Sequence, residues 1–196
     1  MDLILIVGPQ AAGKMTIGIE LEKHLNAKLL FNHETLDLFA RFLNFTPKTF
    51  ELSETVRRGL FEAFTQNEET NATRGIIFTV VAGFDRESDW KILTSWVDQF
   101  IKVNGRVYFI ELEAELEERL KRNTHEQRLA AKPSKRDVAF SEKELLASAE
   151  KYRLNSNDGE VEERLPSVKY FKINNTSLEA SEAAQRIYDW MLETGY

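Results

Sequence analysis

Cysteine is absent from the 196 residues, which excludes both a disulfide framework and a thiolate metal site. Histidine occurs three times, without metal-ligand spacing, so a zinc site is not expected. No apolar run approaches the roughly 20 residues needed to span a bilayer. The N-terminus carries no basic region ahead of a long apolar segment, and a strand pattern begins within the first three residues. A cytoplasmic location is therefore the expectation. Excess positive charge is also missing. The net charge of −6 argues against a general nucleic-acid coat and against an anionic membrane surface as partner. With 42% hydrophobic and 30% charged residues the composition is that of a soluble globular chain, expected as a single domain over residues 1–196.

What is present begins with Leu3-Ile4-Leu5-Ile6-Val7, an unbroken apolar run that reads as a strand buried on both faces. A helix pattern follows, with Ile17, Leu21 and Leu25 four apart. Between them stands Gly8-Pro9-Gln10-Ala11-Ala12-Gly13-Lys14, a G-x-x-x-x-G-K phosphate-cradling loop. Its glycines let backbone N–H groups turn inward, the helix start adds partial positive charge, and Lys14 reaches the outer phosphates. One position departs from the pattern. Met15 stands where Ser or Thr ordinarily offers a hydroxyl to Mg²⁺, and Thr16 lies about 100° further around the helix. In this the loop resembles that of adenylate kinases, which read G-K-G-T. That resemblance matches Thr16 to a threonine that meets phosphate, with the metal held mostly by phosphate oxygens and water.

Further along, Lys28–Phe31, Ile76–Val81, Val107–Ile110 and Val168–Ile173 read as four more strands. Helices are expected after Glu34 to about Leu43, then with Leu52, Val56, Leu60, Phe61 and Phe64 on one side. Another opens at Asp85–Asp89 with Ile92, Leu93, Trp96, Val97, Phe100 and Ile101 inward. A charged helix is expected on the stripe Leu112, Leu116 and Leu120. Ser141–Glu144 and Thr176–Glu179 read as capping boxes that start two later helices, the last one packing Ala180, Ala183, Ala184, Ile187 and Met191. Residues 123–140 show no clear period.

Strands alternating with helices predict an α/β fold, a parallel five-stranded sheet with helices on both faces. The layout resembles the small P-loop kinases: shikimate kinase, the nucleoside monophosphate kinases and chloramphenicol phosphotransferase. The resemblance implies a three-layer P-loop NTPase fold with strand order 2-3-1-4-5. It also implies a helical acceptor-side insertion, about residues 34–74, and a lid over the nucleotide, about residues 120–153.

Arg119 to Arg136 holds seven basic residues and one acid, a net +6 inside a chain of −6, and it coincides with the segment that lacks periodicity. Arginine forks suit phosphate oxygens. By resemblance Arg119 matches a lid-entry arginine that packs on adenine, and Arg122, Arg128 and Arg153 are candidates for phosphate contacts. Lys121, Lys132 and Lys135 read as solvated surface charge. By resemblance Asp85, after the third strand, holds Mg²⁺ through water or orients the acceptor; it could also cap the helix it precedes, and the two readings are not exclusive. Asn32 and His33 end the second strand, where α/β folds place ligands. Either could bind an acceptor hydroxyl, His33 as base, or Asn32 could cap its helix with Glu34 favouring the dipole. Arg57 and Arg58 lie on the acceptor-side insertion, where the resemblance places an arginine for an anionic acceptor.

The reading reached is an ATP- and Mg²⁺-dependent phosphotransferase acting on a small, anionic acceptor, monomeric or homodimeric, with no nucleic-acid or membrane partner. Lys14, Asp85 and Arg128 carry the catalytic expectation. Gly8, Gln10, Ala11, Ala12, Gly13, Met15 and Thr16 complete the nucleotide loop, with Thr16 and Asp85 as the metal candidates. Two competitors are a nucleotide-binding sensor with weak hydrolysis, favoured by Met15, and a kinase of nucleic-acid ends using the +6 segment as a phosphate groove.

Overall fold

The computed structural model describes residues 1–196, the side chain of Gln127 excepted. The apolar runs become strands β1 (Asp2–Val7), β2 (Ala27–Phe31), β3 (Gly75–Val80), β4 (Arg106–Glu113) and β5 (Lys169–Asn174), joined in one parallel sheet of order β2-β3-β1-β4-β5. Every residue of β1 is buried, so the central strand has no polar face. Leu3, Leu5 and Val7 enter one core and Ile4 and Ile6 the other, as the two-residue period of a strand requires.

Nine helices cover the sheet among the described residues: α1 (Lys14–Glu22), α2 (Asn32–Leu43), α3 (Pro47–Gln66), α4 (Glu87–Ile101), α5 (Leu116–Asn123), α6 (Glu126–Ala131), α7 (Val138–Lys151), α8 (Glu160–Arg164) and α9 (Ala180–Glu193). One core packs α3, α4 and α8 on the sheet. Trp96 stands edge-on to both Phe61 and Phe78, with centroids 6.2 and 5.0 Å away. The other packs α1 and α9, where Ile17, Leu21, Ala183, Ala184, Ile187 and Met191 are fully enclosed. Each large side chain so buried contributes about 1.5–3 kcal/mol.

Several helices differ in detail from expectation. On α3 the buried row is Thr49, Ser53, Arg57, Phe61 and Phe64, whereas Val56 and Leu60 face solvent, because a polar network around Arg57 takes the inner face. Leu112 belongs to β4, and α5 buries Arg119 and Asn123 while Leu116 is exposed. Ser141 does not start a helix. Asp137 caps α7 by accepting from Phe140 N at 3.0 Å, and Ser141, one turn inside, donates to Asn123 at 3.0 Å. Thr176 likewise does not cap α9, since its hydroxyl accepts from Glu115 N. The aperiodic stretch contains α6 and a single 3-10 turn, Pro133–Lys135.

Register places the site. Val7 lies level with Val80 and Glu111, and Phe31 with Thr79. The carboxyl ends of β1 to β4 thus share one edge, where α/β folds open a crevice.

Candidate functional site

The loop from β1 to α1 turns on three left-handed residues: Gly8 at φ 152°, Ala11 at 61° and Gly13 at 96°. A Cβ on Gly8 would come within 2.5 Å of the Leu112 carbonyl oxygen, so the strand can leave its neighbour only through glycine. Ala11 adopts the same region with a side chain, at a cost of about 1–2 kcal/mol. Side chains from distant elements hold the loop carbonyls outward. Asn175 Nδ2 donates to the Ala12 carbonyl at 2.8 Å, Arg122 reaches the same oxygen at 3.4 Å, and Arg119 Nε donates to the Gln10 carbonyl at 2.9 Å. The first-turn amides of α1, from Lys14 to Thr16, have no partner among the described residues. Outward carbonyls and free inward amides at a helix N-terminus make an anion cradle.

Cations gather over that cradle. Lys14 Nζ donates to the carbonyls of Gly8 and Pro9, both at 2.6 Å. Burial holds its pKa well below the usual lysine value, and the charges of Lys132, Arg128 and Arg119 lower it further. Burial likewise lowers Arg119, on α5, and Arg128, on α6. Arg119 Nη2 and Arg128 Nε are buried without a hydrogen-bond partner. Lys132 follows α6 with its ammonium 5.7 Å from the centre of the Phe31 ring; burial, then Arg128 and Lys135, bring its pKa down to about 7. Of the nine buried side-chain atoms without a partner among the described residues, seven belong to Gln10, Asn32, Asp37, Arg119, Asn123, Arg128 and Asn175 around this edge. Polar groups left unpaired in a native fold are costly, and their concentration at one place points to a missing polar guest. A polyphosphate fits the charged donors among them, Arg119 Nη2 and Arg128 Nε, because it brings acceptor oxygens and negative charge. The orphaned oxygens of Gln10, Asn32, Asp37 and Asn175 are acceptors that call for a donor such as a hydroxyl.

The metal donors are poorer. Met15 is buried in the position of the customary hydroxyl, and Thr16 is half-buried with no hydrogen bond from its side chain among the described residues. Asp85 is exposed in the β3–α4 connection and does not cap α4, whose N-cap is Arg86. No group of three or more His, Asp or Glu residues suited to a metal occurs among the described residues. Such a set fits Mg²⁺ only when nucleotide phosphates supply most of the ligands.

On the acceptor side, Asn32 opens α2 with its Oδ1 buried and unpartnered. The helix is closed instead by Glu34, which accepts from Phe31 N at 3.1 Å. His33 Nδ1 lies 2.9 Å from Asp37 Oδ1 and 3.3 Å from the Ser134 hydroxyl, which itself donates to Asp37 at 2.8 Å. Burial lowers the His33 pKa, with the Asp37 hydrogen bond working against it. His33, Asp37 and Ser134, with Phe31, Leu38 and Phe45, line a cavity of about 470 Å³ between α2 and the 3-10 turn.

Three expected arginines are engaged by groups of the protein itself. Arg57 spends its guanidinium on Thr35 (2.9 Å), Ser53 (2.5 Å) and the Asn32 carbonyl (3.1 Å), with Glu54 at 3.8 Å; burial brings its pKa to about 10. Arg153 grips Glu160 through two bonds of 2.6 and 2.8 Å and donates to the Phe84 carbonyl. Arg122 is tied to Glu118 and to the carbonyls of Asn175 and Thr176. Arg58 is exposed. Sequence reasoning passed over Lys132, Asp37, Ser134 and Asn175. Only Asp37, one helical turn after His33, left a signal in the spacing.

Sheet order, loop and cation cluster together define the fold of the small P-loop kinases, and solved structures agree. The chain is similar to shikimate kinase from Acinetobacter baumannii in complex with shikimate, at 16% identity and TM-score 0.57 over 99% of this chain and 94% of that one. It is also similar to a gluconokinase from Sinorhizobium meliloti, at 10% identity and TM-score 0.55, covering 100% and 98%. APS kinase CysC from Mycobacterium tuberculosis, in complex with AMPPNP and APS, aligns at 13% identity and TM-score 0.50 over 97% of each chain. No family model and no curated protein matches the sequence.

Proposed function

We propose that the chain is an ATP-dependent phosphotransferase that moves a terminal phosphate onto a hydroxyl of a small-molecule acceptor. The observation that carries this reading is the convergence of Lys14, Arg119, Arg128 and Lys132 where the loop runs into α1 with the amides of Lys14 to Thr16 free. Phosphoryl transfer asks the protein for positioning and charge neutralisation rather than covalent chemistry, and this arrangement supplies both.

In this reading the amides of Lys14 to Thr16 bind the β-phosphate region, and Lys14 exchanges the Gly8 and Pro9 carbonyls for phosphate oxygens. Arg119 and Arg128 turn their unpaired N–H groups to the nucleotide. Residues 120–153 act as the lid and 34–74 as the acceptor-side insertion. Mg²⁺ bound with the nucleotide would neutralise charge between the β- and γ-phosphates, and Thr16 and Asp85 are the residues of this chain nearest in type to that task. Asn32 Oδ1 orients the acceptor hydroxyl. His33, kept neutral by burial and oriented by Asp37, takes its proton. Arg57 and Arg58 do not favour an anionic acceptor: one is saturated by its own helix pair, the other faces solvent. The similar structures that name shikimate and APS support a small-molecule acceptor in general terms.

Met15 favours one competing reading, a nucleotide-binding regulator that hydrolyses slowly. A thermal-shift screen of nucleotides and hydroxyl metabolites, run on the native chain and Lys14→Ala, tests the proposal, and Mg²⁺-ATP turnover with the hits separates the two readings. Nucleotide stabilisation that survives Lys14→Ala unchanged overturns the assigned role of Lys14. Binding without transfer to any acceptor supports the regulator.

A further inference from the structure

The cavity between α2 and the 3-10 turn holds about 470 Å³, a volume that encloses a drug-sized ligand. Much of its wall is apolar: Phe31 at the end of β2, Leu38 on α2, Phe45 just after that helix and Pro133 opposite. Leu38 and Phe45 keep 42% and 46% of their surface open, which an apolar guest would cover with gain. The polar lining is made of acceptors. Asp37 spends Oδ1 on His33 and Ser134, while its Oδ2 is buried without a partner among the described residues. With His33 Nδ1 turned to Asp37, Nε2 is the ring nitrogen left for a guest. Resting on the kinase reading above, we propose that the phosphoryl acceptor is an uncharged alcohol with at least two hydroxyls and an apolar body. The body lies against Phe31, Leu38 and Phe45, one hydroxyl stands at His33, and a second donates to Asp37.

Charge explains why an acid is turned away. Two carboxylates line the cavity, Glu34 and Asp37, against one cation, Arg41. That arginine is exposed and lies over Phe42, 5.2 Å from the ring centre. Arg57 is committed to Thr35, Ser53 and the Asn32 carbonyl and does not line the cavity. Lys132 and Lys135 act on His33 from the other side, and neither lines the cavity. A carboxylate on the guest would therefore lose its water, meet like charge and find no committed partner. In the transfer, the acceptor hydroxyl oxygen bonds to the terminal phosphorus. The bond from that phosphorus to the β–γ bridging oxygen breaks, and its electron pair leaves with ADP. The hydroxyl proton passes to His33 Nε2 and on to solvent, so the products are ADP and the phosphomonoester of the alcohol.

The test is calorimetric titration of the ADP-saturated full chain, which cannot turn over, with matched compounds. Phenyl β-glucoside is set beside glucose, which lacks the ring, and phenyl β-glucuronide, which adds a carboxylate. Phenylethylene glycol is set beside ethylene glycol and mandelate in the same way. At least one of the two aryl alcohols is expected to bind about tenfold or more tightly than both of its counterparts. Phe45→Ala is expected to lose that margin while keeping its ADP affinity, which also reports that it is folded. Phe42→Ala removes a neighbouring ring that does not line the cavity and is expected to keep the margin. Failure of both aryl alcohols to bind, carboxylates that bind as well, or a margin that survives Phe45→Ala overturns the proposal and leaves nucleotide binding intact. Tight aryl-alcohol binding without phosphate transfer from Mg²⁺-ATP overturns the kinase reading on which it rests, and absence of ADP binding by the native chain overturns the nucleotide site itself.

Discussion

Asn175 and Ala12 are 163 positions apart in the chain, yet the Asn175 side-chain amide donates to the Ala12 carbonyl at 2.8 Å. That bond fixes the phosphate loop from the far side of the sheet, because Asn175 stands just after β5 and is 2% exposed. Removing it leaves Arg122, at 3.4 Å, as the remaining donor to that oxygen. Asn175→Ala is expected to lower stability by about 1–3 kcal/mol in urea unfolding. It should also weaken ADP binding in titration, since the carbonyl is then free to turn into the cradle.

Ala11 carries a left-handed backbone at φ 61°, which glycine adopts at no steric cost. Ala11→Gly is expected to be neutral to stabilising by up to about 1 kcal/mol, the gain being offset by the greater freedom of glycine in the unfolded chain. Gly8→Ala should do the opposite, because its new methyl would press on the Leu112 carbonyl 2.5 Å away. Thermal melts of the two variants side by side check both signs.

Arg57 and Arg58 are adjacent in sequence and unlike in consequence. Arg57→Ala takes the guanidinium away from Thr35, Ser53 and the Asn32 carbonyl, leaving the two hydroxyls only each other, and is expected to cost about 1–3 kcal/mol. Arg58→Ala, on the solvent side, should stay within about 0.5 kcal/mol of the native chain. Chemical denaturation of each variant decides the matter.

The cation cluster makes stability depend on pH in a direction that can be worked out. Burial sets Lys132 near 7 in the folded chain, below its value when unfolded. Between about pH 7 and pH 9 the unfolded chain therefore binds more protons than the folded one, and stability rises with pH across that window. Lys14 acts in the same direction. The midpoint of urea unfolding should move upward from pH 7 to pH 9, and saturating ATP should flatten the slope by restoring the charged forms.

The phosphate loop was legible because strand, turn and helix signals are contiguous there, each confirming the next. The parallel sheet followed once five apolar runs alternated with helices, and its order came from the resemblance of that layout to the small P-loop kinases. The helix faces were harder. On α3 an apolar period through Val56 and Leu60 competes with the row Thr49, Ser53 and Arg57, and burial went to the polar row because Thr35 on α2 completes its hydrogen bonds. Nothing in the spacing of one helix shows that its partner lies on another. The same reason hid Lys132, which looks like surface charge until α6 and Phe31 enclose it. It also hid Asn175, whose importance lies wholly in a contact across the sheet.

Ser134 bonds to Asp37 and approaches His33, so one hydroxyl spans from the turn after α6 to the helix after β2. The two segments are thereby tied through a single side chain. Amide hydrogens of α2 and of residues 126–136 should consequently exchange with a common opening rate, and Ser134→Ala should split that rate in two.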